Sequence, residues 1–104
     1  MPAQIEVDEA RIADFCRRWK ITEFALFGSV LSRDFRPKSD VDVMVSFAPD
    51  ARWGLHALYQ MEEELRALYG REVHLITRAS LEQSGNYIRR NDILSHLEVI
   101  HAAR

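Results

Sequence analysis

Cysteine is almost absent from this chain. Cys16 stands alone, which excludes a disulfide framework and a zinc site built on cysteine pairs; its expected role is a small buried apolar residue on a helix. Long apolar runs are missing too. No stretch approaches the roughly 18 consecutive apolar residues of a membrane-spanning helix, and no N-terminal signal pattern is present, so the expectation is a soluble, cytoplasmic protein. Positive charge is not in excess: the net charge of -2 argues against nucleic-acid binding through bulk electrostatics. Lysine is confined to Lys20 and Lys38, leaving arginine to carry nearly all the basic charge. That suits phosphate recognition, although genome composition alone produces the same bias. Repeats, low-complexity segments and linker-like stretches are also lacking. With 104 residues, the chain is therefore expected to form a single domain over 1–104.

What is present is a well-patterned mixture of helix and strand. Ile12, Phe15, Cys16 and Trp19 recur at helical spacing and predict a helix over residues 8–19, with Asp8 and Glu9 at its electropositive start. Residues 22–28 follow as a strand whose core, Phe24 to Phe27, has no polar face and so should be covered on both sides. Ser29 to Asp34 reads as a short helix and Phe35 to Ser39 as a loop broken by Pro37. Asp40 to Phe47 alternates strictly: Asp40, Asp42 and Met44 point one way, Val41, Val43 and Val45 the other. The stripe Leu55, Leu58, Met61, Leu65 and Leu68 predicts a helix to Tyr69, stopped by Gly70. A third strand is expected over Glu72 to Thr77, then a short helix over 79–84. A last helix is expected from Tyr87 to Ala102, with Ile93, Leu94, Leu97 and Ile100 inside. This order predicts an α+β fold, a small mixed sheet of about three strands with helices packed on it.

Two features carry chemistry. Asp40 and Asp42, two apart on a strand, project from one face roughly 7 Å apart. Their mutual repulsion is relieved by a divalent cation, and hard oxygen donors suit Mg²⁺ or Mn²⁺ with substrate phosphates completing the shell. Taken alone, the pair is more simply read as two exposed carboxylates at a strand start, because the spacing is common. Gly28-Ser29, where a strand turns into a helix, makes a corner at which phosphate can approach the backbone. By itself such a turn is ordinary. The two together, ten residues apart, point to metal-assisted handling of a nucleoside triphosphate. Arg33, Arg36 and Lys38, in between, could steer a triphosphate or simply be solvated. His56, His96 and His101 have no metal-ligand spacing with one another, and Trp19 and Trp53 read as core or lid residues. Arg89 and Arg90 read as a solvated helix end, or as a contact for an acidic partner.

The segment Phe27-Gly28-Ser29, ten residues, then Asp40-Val41-Asp42-Val43 resembles the signature of the DNA polymerase β-like nucleotidyltransferases. The short length resembles their minimal nucleotidyltransferase branch. The likeness continues through Gly70-Arg71-Glu72-Val73, Leu75-Ile76-Thr77 and the segment from Asn86 to Leu94. It implies the minimal nucleotidyltransferase fold and transfer of NMP, most simply AMP from Mg-ATP, to a hydroxyl. On this match Gly28 and Ser29 would bind phosphate and Asp40 and Asp42 would be metal ligands; Arg33, from its charge in the loop between them, joins the candidate phosphate-binding residues. It further implies an antitoxin paired with a HEPN-type toxin, silencing it by adding AMP to a tyrosine. One position departs from the pattern. The family usually carries a third carboxylate on the third strand, and here His74 stands in Val73-His74-Leu75-Ile76-Thr77. His74 could serve as a neutral ligand or general base, so it belongs with Asp40 and Asp42 among the candidate catalytic residues. Glu72, one strand repeat away, is a poor substitute. The other reading is that catalysis is weakened or lost and the protein neutralises its partner by binding alone.

Overall fold

The computed structural model describes residues 8–28 and 40–102, in the order α1 (Glu9–Arg18), β1 (Ile21–Phe27), β2 (Val41–Phe47), α2 (Leu55–Tyr69), β3 (Val73–Thr77), α3 (Arg78–Glu82), α4 (Tyr87–Ser95) and β4 (Glu98–Ala102). The expected short helix at Ser29 and the loop to Ser39 lie outside the described residues. Asp8 caps α1, its carboxylate accepting the amides of Ala10 and Arg11, as a short acidic side chain does at a helix start. Gly70 ends α2 in the left-handed conformation, φ 70°, and its amide bonds to the Arg66 carbonyl.

The strands form one mixed sheet in the order β3-β2-β1-β4. β1 pairs antiparallel with β2 and β4, and β2 runs parallel to β3. The parallel step is possible because α2 carries the chain back between them. Val41, Val43 and Val45 pack with Phe24 and Leu26 under α1 and α2, against Ile12, Phe15, Cys16, Met61 and Leu65. On the opposite face Ala25, Phe27 and Met44 are covered by Leu81 of α3 and Ile93 of α4. The expectation that β1 is buried on both sides is met, since Phe24 to Phe27 are all buried.

The chain end corrects the sequence reading. The expected helix over 87–102 stops at Ser95, and Glu98–Ala102 is a fourth strand. Ile93, Leu94 and Leu97 stay with the α4 layer, whereas Ile100 packs on the opposite face. The physical reason is the free side of β1. A strand buried on both faces cannot leave its amides and carbonyls unpaired, and β4 satisfies them through Glu23↔Ala102, Phe24↔His101, Ala25↔Val99 and Leu26↔Glu98. That demand outweighs a helical spacing the same residues also satisfy. Leu55 also departs from its stripe: it is 85% exposed, at the solvent end of α2.

Candidate active site at the mouth of the central strands

The sheet brings four of the sequence-predicted positions together. Phe27 pairs with Asp42, and Asp42 pairs in turn with His74, so the end of β1, the start of β2 and the start of β3 share one rung. Asp40 sits just before β2, where the Val41 amide donates to the Glu72 carbonyl at 2.9 Å. From there the Asp40 Oδ2 lies 2.9 Å from His74 Nε2. Both side chains are open to solvent, His74 at 64% and Asp40 at 46% exposure.

Gly28 follows Phe27 with φ +77°, a backbone state that L side chains rarely adopt. A Cβ there would collide with the Asp42 carboxylate oxygen and stand 3.3 Å from its Cγ. The missing Cβ is what lets the Asp42 carboxylate lie against this turn. Ser29 and Arg33 lie outside the described residues. Glu72, set aside as a replacement for the missing acid, is engaged elsewhere, by Arg66 Nε at 3.1 Å.

The electrostatics centre on Asp42. Burial pushes its carboxyl pKa up, the charge of Asp40 adds to the rise, and His74 and Arg89 pull it back. Arg89 is the residue that the sequence reading left on a solvated helix end. The signal that could have found it is its spacing: it stands four residues before the buried Ile93 and so shares the helix face turned to the sheet. Its neighbour Arg90 is engaged elsewhere, stacked on Tyr87 and donating to the Glu82 carbonyl. Trp19 and Trp53 pack edge to face on each other, centroids 5.1 Å apart.

The donor chemistry suits a divalent cation in kind: two carboxylates, one strained by burial and by the other's charge, with an imidazole beside them. Among the described residues no three His, Cys, Asp or Glu side chains converge as a metal cage. Asp40 and Asp42 are thus the described residues that would hold such an ion.

A nucleotidyltransferase domain family model matches residues 10–99. The chain belongs to the nucleotidyltransferase domain family. Among curated proteins no match to this nucleotidyltransferase domain is found. Its fold is that of minimal nucleotidyltransferases in solved structures. A toxin–antitoxin with AMP-PNP superposes with TM-score 0.70 at 18% identity, covering 94% of this chain and 76% of that one. A structure assigned as a minimal nucleotidyltransferase gives TM-score 0.66 at 22% identity, covering 86% of each chain. A tri-AMPylated Shewanella oneidensis HEPN toxin in complex with MNT antitoxin gives TM-score 0.62 at 18% identity, covering 91% of this chain and 70% of that one. Among the described residues, no helix of this nucleotidyltransferase domain is long and apolar enough to cross a membrane.

Proposed function

We propose that this chain, acting as a single domain, transfers AMP from ATP to a hydroxyl of a HEPN-type toxin, and so serves as the antitoxin of the pair. The observation that carries the reading is the rung of Phe27, Asp42 and His74, with Asp40 on His74 and Gly28 giving way to the Asp42 carboxylate. Family membership and the fold's likeness to toxin–antitoxin nucleotidyltransferases support it.

In this reading Asp40 and Asp42 would hold Mg²⁺ or Mn²⁺, and the bound ion supplies charge stabilisation to the attacking and leaving oxygens. Gly28 lets the phosphates lie against the backbone. Ser29 enters as a phosphate ligand from its place in the sequence motif, and Arg33 from its charge in the loop between the motif's two halves. The acceptor oxygen bonds to the α-phosphorus, the bond from that phosphorus to the bridging oxygen breaks, and pyrophosphate leaves with the electron pair. His74, hydrogen-bonded to Asp40, takes the hydroxyl proton.

The test is incubation with ATP labelled at the α-phosphate, Mg²⁺ and the toxin. The expected result is label on the toxin. If the native chain transfers none while His74→Asp transfers under the same conditions, this chain is not an active transferase.

A second reading is favoured by the absence of a third acid at His74: neutralisation by binding without catalysis. Toxin silencing that survives Asp40→Asn with Asp42→Asn supports it. Loss of silencing in that double variant, with the complex still formed, counts against it.

A further inference from the structure

Between α3, α4 and the end of β3 lies a cavity of about 220 Å³, lined by Ile76, Ser80, Leu81, Ser84, Arg89 and Ile93. Its floor adjoins the candidate site. Ile76 pairs with Met44, one strand repeat, roughly 7 Å, from the rung of Asp42 and His74. The apolar members are anchored, since Leu81 and Ile93 are buried against Met44 and Phe27. The polar members are one guanidinium and two hydroxyls, with no carboxylate among the lining residues.

Arg89 is placed but not spent. Its backbone amide is held by the Asn86 side chain at 3.1 Å, which fixes the first turn of α4. Its guanidinium makes no ion pair or side-chain hydrogen bond among the described residues, and it lines the cavity. Other arginines of the fold are committed to carboxylates: Arg18 to Glu64, Arg66 to Glu63 and Glu72, Arg78 to Glu23. Ser84 accepts the Asn86 amide through its Oγ, which leaves its O–H free to donate into the cavity.

We propose that Arg89, with Ser80 and Ser84, forms an anion subsite beside Asp42 that takes the phosphate end of a nucleoside triphosphate and then the departing pyrophosphate. This rests on the triphosphate reading of the site given above. The planar guanidinium fork matches two phosphate oxygens at once. It would also supply from α4 a positive charge that the strands β1 to β3 do not offer at this rung.

Calorimetric titration of the full chain with Mg-ATP and with inorganic pyrophosphate tests it, using Arg89→Gln, Arg89→Lys and Arg90→Gln. In Arg89→Gln the affinity for both ligands is expected to fall about tenfold or more, with Tm unchanged because the side chain is exposed. Arg89→Lys, which keeps the charge and loses the fork, should recover part of the affinity, and Arg90→Gln should bind as the native chain does. Native affinity in Arg89→Gln overturns the subsite while leaving the triphosphate reading intact. Equal loss in Arg90→Gln, or loss accompanied by a fall in Tm, also overturns it. A native chain that binds neither ligand overturns both readings.

Discussion

Gly28 and Asp42 constrain each other. The backbone at Gly28 is left-handed, and the space where a side chain would go is taken by the Asp42 carboxylate. Gly28→Ala should therefore cost stability twice, once for the conformation, about 1–2 kcal/mol, and again for displacing Asp42. A lowered denaturant midpoint together with loss of ATP binding would show both effects. Asp42 is itself a stability liability, because burial and Asp40 raise its carboxyl pKa. A folded-state pKa above the unfolded value means that the folded state binds the proton more tightly. The cost is absent below the ordinary carboxylate range, grows as pH rises, and is complete above the raised folded value. Asp42→Asn is accordingly expected to raise Tm at pH 7, to lose that advantage towards pH 3, and to abolish AMP transfer. A Tm difference independent of pH would contradict the burial argument.

At the scale of elements, the two outer strands are treated differently. β3 is protected on its open side by α2: the Leu75 amide donates to Glu62 Oε2 at 2.9 Å. A side chain from the crossover helix thus stands in for a missing strand, which is one way to blunt an exposed edge. Glu62→Ala should cost about 1 kcal/mol and should speed hydrogen exchange at the Leu75 amide more than at its neighbours in β2. Because β3 also carries His74, the same variant should loosen the contact between His74 and Asp40, to be read as increased exchange broadening of the His74 ring signals. β4 plays the complementary part on the other side of β1. By pairing from Glu23 to Leu26 it turns β1 into an interior strand and fixes where Phe27 and Gly28 emerge.

Across the whole molecule, two helical layers clamp one sheet. The α1 and α2 layer carries the larger core, and the α3 and α4 layer is smaller and borders the site. Cys16 lies inside the larger core, fully buried, and burial pushes its thiol pKa up to about 12. A thiol without thiolate character is inert, so Cys16 should resist a disulfide reagent at pH 8 in the native protein. Its labelling rate across a denaturant series should follow global unfolding, which makes it a reporter for the variants above. Labelling faster than unfolding would show that α1 opens separately.

Periodicity alone determined α1, β1, β2, α2 and β3 and the two-sided burial of β1, because apolar spacing is a direct record of which faces leave water. Spacing in the sequence also linked Gly28 with Asp40 and Asp42, although each part alone is ordinary, and the family resemblance added His74 at the position of a third acid. What it could not decide was the end of the chain and the part of Arg89. Ile93 to Ile100 satisfies a helix as well as a strand, and the choice fell to β1, whose unpaired backbone side exists only once the sheet has formed. Arg89 reads as an ordinary surface charge until α4 is folded across the sheet. Local pattern fixes the face a residue turns inward; which other element that face meets is a property of the assembled fold.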